Sequence, residues 1–340
     1  MIMLNRLGGK FLIAVALLSS LVVSCTSSPI FEGEGDCSVH FQIKFRYDMN
    51  MEYADAFHSH VGSVALYAFG QDGKLVYQKT EQGAALAVEG WTMDIELEPG
   101  TYDVLAWCGL QEGDHFKVPA ATVGQTTIEE LKCRMERDAS SEVKDDLNDL
   151  YHGYFHGDFT DRPGTHVQTI NLIKNTNSVR VNLHHLSGNE LNPDDFRFEI
   201  IDDNGYMNWD NTLLEDDMLT YRPWSITSGS VDSDVQLPTK SDQKLNILST
   251  DFTVGRMLTS KNPILHIYND HLDRRVLTIP LKDYFLAVRN ANVADMDEQE
   301  FLDRNDDFNL TVLMDKNLDW VSVSINIHSW RVIKYNETLQ

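Results

Sequence analysis

The sequence predicts an all-β fold, built as antiparallel β-sandwiches with a few short helices. Three observations predict it. Apolar and polar residues alternate strictly in short runs, as where Val39, Phe41, Ile43, Phe45 and Tyr47 interleave with His40, Gln42, Lys44 and Arg46. Turn signals such as Asp72-Gly73 and Pro99-Gly100 separate these runs at regular intervals. No GxGxxG follows a strand, and no P-loop occurs. A period of two puts one face in a core and one in water. Many such strands, closely spaced by turns, indicate sandwiches rather than an α/β core.

The chain opens with Arg6 and Lys10, followed by an apolar run from Phe11 to Val23. That run is shorter than the ~20 apolar residues that span a bilayer, and it has the proportions of a secretory signal peptide. It ends at Leu21-Val22-Val23-Ser24-Cys25, where a small residue precedes a thiol. This reads as a lipoprotein cleavage box, with residues 1–24 as signal peptide and Cys25 as lipid attachment site. Residues 25–36 are polar and aperiodic, with Glu32, Glu34 and Asp36, and read as a flexible tether.

The first strand, Val39 to Tyr47, ends at Asp48-Met49-Asn50. Val61 to Phe69 is the second, and Asp72-Gly73 turns it into Leu75 to Tyr77, because glycine tolerates positive φ. Trp91, Met93, Ile95 and Leu97 alternate with polar residues, Pro99-Gly100 turns, and Tyr102 to Trp107 follows. Asp145 to Tyr151 reads as a short helical or irregular excursion. Val167 to Ile173 and the residues Val179, Val181 and Leu183 are again strand-like. The polar stretch Asn175-Thr176-Asn177-Ser178 divides them, which gives two domains, 37–175 and 176–340; a boundary near Gly188 is the alternative. Beyond it, Phe196 to Ile200, Ile264 to Tyr268, Val276 to Ile279, Leu310 to Met314 and Val321 to Ile327 are strands. Leu281 to Val288 and Asp297 to Arg304 are the best helix candidates.

The formal net charge is −24, from 52 acidic and 28 basic residues. Such a surface repels phosphate backbones, so nucleic acid is not an expected partner. Of four cysteines, lipidation of Cys25 leaves Cys37, Cys108 and Cys133, enough for one intramolecular disulfide. If one forms, Cys37–Cys133 is favoured, because Cys108 adjoins Trp107 within a strand and suits a buried small hydrophobe. No CxxC pair supports a zinc site.

Asp202, Asn204, Asn208 and Asp210 are oxygen-rich, but Gly205 falls at the wrong place for an EF-hand loop, which favours a plain hairpin turn. His58, His60, His184 and His185 have no fixed carboxylate beside them, so no metal or cofactor is expected. Trp91, Tyr102 and Trp107 lie in alternating patterns and read as core rather than as a sugar platform. No GxSxG elbow is present, and no enzyme activity is expected.

Ordered landmarks run the length of the chain. They are Val39-His40-Phe41-Gln42-Ile43, Tyr47-Asp48-Met49-Asn50, Val64-Ala65-Leu66-Tyr67-Ala68-Phe69, Pro99-Gly100-Thr101-Tyr102, Leu150-Tyr151-His152-Gly153 and Asn175-Thr176-Asn177. In the second half come Asp203-Asn204-Gly205, Asp210-Asn211-Thr212, Tyr221-Arg222-Pro223, Phe301-Leu302-Asp303-Arg304 and Ile327-His328-Ser329-Trp330. In this order they resemble the FimB-type fimbrial anchor lipoproteins of Bacteroidetes, which hold type V fimbriae. The resemblance implies two transthyretin-like β-sandwiches and a non-enzymatic, outer-membrane lipoprotein that binds the basal stalk subunit of a fimbria. Strand complementation through an exposed sheet edge would supply the contact, with the first strand (Val39 to Tyr47) and the last (Val321 to Ile327) as candidate edges. A lipid-anchored binding module for glycan or host ligand is the alternative reading.

Overall fold

The computed structural model describes residues 38–113, 115–137, 139–231 and 245–336. Strands make up 49% of the described residues and helices 12%, so the all-β expectation holds. The described residues from 40 to 161 and from 165 to 336 belong to one compact unit. Ser38, Val39 and Arg162–Gly164 fall in a separate small one, where Gly164 N–H donates to Ser38 O at 2.9 Å.

The first half builds a seven-stranded sheet in the order β3-β2-β5-β9-β10-β1-β4. The strands are β1 (Val39–Arg46), β2 (Ser63–Phe69), β3 (Leu75–Gln82), β4 (Thr92–Ile95), β5 (Gly100–Cys108), β9 (Tyr151–Phe159) and β10 (Gly164–Lys174). It curls until β1 faces β9: Phe41 meets Phe159 edge-on at 5.0 Å, and Tyr47 meets Tyr151 at 5.0 Å. The alternation read in β1 is the observed burial, with Phe41, Ile43 and Phe45 inside. β2 and the end of β5 are buried on both faces, which is why they read as unbroken apolar runs. One face carries Phe69, Leu105 and Trp107 into a core shared with Phe116, Ile128, Leu131 and Met135.

The sequence predicts a short helical or irregular excursion at Asp145 to Tyr151 and no strand directly after it, yet β9 runs from Tyr151 to Phe159, paired with β5 from Gly100↔Phe159 to Cys108↔Tyr151. Gly153 and Gly157 weaken the local strand signal. Gly153 is required by packing, since a Cβ there would lie 2.4 Å from Ile170 Cγ2.

The second half forms a six-stranded sheet, β15-β16-β11-β19-β20-β21, from β15 (Ser225–Val231), β16 (Leu245–Gly255), β11 (Thr176–His185), β19 (Asp307–Met314), β20 (Trp320–Ile327) and β21 (Trp330–Tyr335). A five-stranded sheet, β18-β17-β12-β14-β8, contains β18 (Arg274–Pro280), β17 (Ile264–Asn269), β12 (Phe196–Asp202), β14 (Leu219–Tyr221) and β8 (Glu142–Val143). Their inner faces, through Val181, Leu310 and Ile325 on one and Phe198, Leu265 and Ile279 on the other, join the same core. The helix Leu281–Asn292 fills it with Leu281, Phe285 and Val288, and Phe285 stacks on Phe308 at 4.1 Å. The helix Glu298–Arg304 starts where Asp297 accepts from the N–H groups of Gln299 and Glu300.

β10 ends at Lys174 and β11 begins at Thr176, in different sheets. Residues before that point nevertheless enter second-half sheets. β8 pairs β14 in parallel, and β7 (Cys133–Met135) pairs β13 (Tyr206–Met207) in a small sheet that also holds β6 (Phe116–Lys117). The pairs β11–β19 and β8–β14 are parallel. Two- and three-residue strands such as these carry too little periodicity to be read beforehand.

Candidate functional site

Cys25, the expected lipid-attachment site, residues 25–36, expected to be a tether, and Cys37 lie outside the described residues. Cys133 is fully buried in β7. Cys108 is buried and free in β5, and desolvation pushes its thiol pKa upward, which suits the packing role. Trp107 is fully buried, its indole N–H donating to Leu131 O at 3.1 Å. Trp91 stacks on Phe45 and Phe57, and Tyr102 meets Phe159 edge-on. All three candidate sugar-platform aromatics therefore serve packing.

Among the described residues no group of three or more His, Cys, Asp and Glu side chains could hold a metal. Within the oxygen-rich loop, Asn204 and Asp210 are held by hydrogen bonds within the protein. Asn204 accepts from Tyr221 Oη at 2.5 Å and donates to Arg256 O, while Asp210 accepts from Thr212 N and Oγ1. His58 and His60 lie in the one-turn helix Phe57–His60. The nearest approach to a catalytic arrangement is Asp103, which accepts from Tyr154 Oη and faces His156 Nδ1 at 2.8 Å. It orients two side chains on an exposed sheet face and presents no serine or cysteine nucleophile.

Neither candidate edge strand is an edge. β1 lies between β10 and β4, and β20 between β19 and β21. The sequence pattern could not reveal this, because alternation reports which face is buried and says nothing of lateral neighbours. The larger sheets end instead at β3 and β4, and at β15 and β21. β21 was missed because Arg331 and Lys334 interrupt its apolar pattern.

What most distinguishes the interior is a set of buried polar fastenings. Arg256 holds Asp303 with two bonds of 2.7 Å and donates a third from Nη1 to Asn211 O at 3.1 Å. Asn175 and Asn211 exchange amide hydrogen bonds at 2.7 and 3.2 Å. Lys174 Nζ bridges Asp149 at 2.9 Å and Asp306 at 2.8 Å. Burial disfavours its ammonium, but the two carboxylates outweigh that and raise its pKa. Arg304 donates from Nη1 to the carbonyls of Asp48 and Asn50, both at 3.0 Å.

The family model for fimbrillin-A associated anchor proteins Mfa1 and Mfa2 matches residues 34–336. The chain belongs to that family. The minor fimbrium anchoring subunit Mfa2 of Porphyromonas gingivalis is 24% identical over 219 residues, which cover 62% of this chain and 64% of that relative. A solved structure of that fimbrial anchor protein shares the fold, with a TM-score of 0.63 at 17% identity over 88% of this chain and all of that one. Two solved Bacteroides thetaiotaomicron structures are more similar. One, described as an adhesin, has 28% identity and a TM-score of 0.78; the other, described as polysaccharide-binding, has 30% and 0.75. Each covers 89% of this chain and all of its own.

The motifs that carried the resemblance coincide with the fastenings. Asn175-Thr176-Asn177 supplies the amide pair and the bond from Met257 N–H to Asn177 Oδ1 at 3.1 Å. Phe301-Leu302-Asp303-Arg304 supplies two buried apolar side chains, the carboxylate for Arg256 and the Arg304 contacts. Tyr221-Arg222-Pro223 supplies the phenol for Asn204 and a guanidinium that holds Glu142 at 3.0 Å and Glu199 at 2.8 Å.

Proposed function

We propose that this chain is an outer-membrane lipoprotein that anchors a fimbria at the cell surface by holding its basal stalk subunit. The observation that carries the reading is the family match over residues 34–336, joined to the Leu21-Val22-Val23-Ser24-Cys25 box. Residues 1–24 direct export, Cys25 takes the lipid, and 25–36 tether a first domain (37–175) followed by a second (176–340). Cys37 and Cys133 form the one disulfide the cysteine count allows. Several acyl chains on Cys25 hold the protein in the bilayer, because a single chain binds only marginally.

The edge we assign to the stalk contact is β21. Asn336 N–H donates inward to Val321 O at 2.8 Å. Alternation therefore turns the N–H groups of Tyr335 and Ile333 away from β20. Their side chains are 64% and 38% exposed, an open apolar edge of the kind that invites a further strand.

Deletion of the gene should leave stalk subunits made but shed into the medium. Cys25→Ser should move the protein itself from membrane to soluble fractions and end fatty-acid labelling. Ile333→Pro removes an outward donor while sparing the inward ladder, and should release stalk subunits from a protein that stays folded and lipidated. Cell-bound fimbriae of normal length in the deletion strain, with no second anchor gene present, would refute the reading.

A further inference from the structure

We propose that the outer face of the six-stranded sheet, at its β15 end, is a binding site for uncharged carbohydrate. A shallow groove of about 480 Å³ opens there, within the size range of small-ligand sites. Its floor is set by strand register. Thr227 pairs with Ser249, and Ser249 with Asn182, placing a hydroxyl, a hydroxyl and an amide side by side on β15, β16 and β11. The next row holds Asp251, Arg180 and Asn309. Beside it, Trp224 is 42% exposed, and its backbone N–H donates to Asp251 O at 3.0 Å. A second cleft of about 190 Å³ joins Trp224 to Arg180 and Asp251.

Three features select the ligand. First, Thr227, Ser249 and Asn182 make no side-chain hydrogen bond among the described residues, so their donors and acceptors are available. Strands about 4.8 Å apart let groups on two neighbours hold two hydroxyls of one sugar ring. Second, the floor carries no net charge, because Arg180 Nε engages Asp251 at 2.6 Å. In a chain of net charge −24, an anionic polymer meets repulsion that a neutral patch does nothing to offset, whereas an uncharged polymer escapes it. Third, the lining is polar apart from Ile247, unlike the apolar centre of a protein–protein interface. An indole beside such a floor offers a flat apolar surface to the C–H face of a pyranose. This site lies at the opposite end of the sheet from β21, and it stands or falls independently of the anchoring reading.

The test is native affinity electrophoresis of the purified full chain, in detergent, through gels containing yeast mannan, dextran or xyloglucan, with hyaluronan as the charged comparison. Retardation is expected in at least one neutral gel and not in hyaluronan. Trp224→Ala and Asn182→Ala, each checked for an unchanged melting temperature, should weaken that retardation about tenfold, while Tyr53→Ala, remote from the groove in sequence and sheet, should not. Migration unaffected by all three neutral polymers would overturn the proposal, as would retardation that survives both groove substitutions or that occurs in hyaluronan alone.

Discussion

The guanidinium of Arg304 lies 4.0 Å from the centre of the Tyr53 ring. Tyr53 adopts φ 54, a left-handed conformation uncommon for a residue with a side chain. The same guanidinium donates to Asp48 O and Asn50 O and holds Glu300 at 2.7 Å. One side chain from a late helix thus fixes the loop that follows the first strand. Arg304→Ala should cost about 1–3 kcal/mol from the lost charged hydrogen bonds and cation–π contact. Hydrogen exchange should accelerate in residues 48–56 before any other segment. Arg304→Lys keeps the charge but not the fork, and should recover only part of the loss.

Gly109 closes the end of β5 with φ +92, and a Cβ there would sit 1.9 Å from Asp149 O. Backbone cannot yield as a side-chain tip can, and the φ adds its own strain. Gly109→Ala should therefore be among the most damaging single-methyl additions, costing more than about 3 kcal/mol. Gly113, with φ +84 and open space around its Cβ position, is the control. Gly113→Ala should cost about 1 kcal/mol, the penalty of the backbone conformation alone. Urea midpoints of the two variants decide the comparison.

How far the sequence revealed this structure depends on the kind of signal involved. β1, the β2–β3 hairpin at Asp72-Gly73, and both late helices were legible, because periodicity and turn chemistry act locally. β16 was not, although it pairs β11 from Thr176↔Gly255 to His184↔Ile247. Its residues Ser249, Asp251 and Thr253 alternate with Thr250, Phe252 and Val254, and burial of both Thr250 and Thr253 blurs the alternation. The fastening residues were visible only as landmarks of order. Nothing near Arg256 in sequence announces that its partner is Asp303, since the pairing exists only after two sheets and a helix have assembled.

That pairing gives a third expectation. The side chains of Arg256 and Asp303 are 10% and 7% exposed, and Gln299 Nε2 adds a bond of 3.0 Å to the same carboxylate. Removing one member of a buried pair leaves the other charged and unpartnered, at a cost of about 3–5 kcal/mol. Arg256→Met should lower stability by that amount. Arg256→Met combined with Asp303→Leu should restore most of it, because both desolvation costs vanish together. Chemical denaturation of the two single variants and the double variant measures the coupling. A double variant as unstable as the sum of the singles would mean that the pair acts through separate contacts.

Asp202 sets a pH dependence of unusual direction. It is 2% exposed; its Oδ1 accepts from Asp203 N–H at 3.0 Å, and its Oδ2 has no partner among the described residues. Burial raises its pKa to about 7, against a partial opposing pull from the Asp203 N–H and from Lys261. Unfolded, the same carboxyl titrates near 3.8. Between those values the folded chain binds the proton and the unfolded chain does not, so stability falls as pH rises. The contribution is fully present below about pH 4, is lost progressively to about pH 7, and is constant above. A difference of that size corresponds to on the order of 4 kcal/mol at most, less whatever local relaxation recovers. Asp202→Asn keeps the acceptor for Asp203 N–H and never ionises. Relative to the parent, it should be as stable at pH 4 and more stable by about 2–4 kcal/mol at pH 8. Because the other carboxylates are common to both proteins, the difference between their urea curves across that range isolates this one group. Parallel stability profiles from pH 4 to pH 8 would show that Asp202 stays ionised in the folded protein.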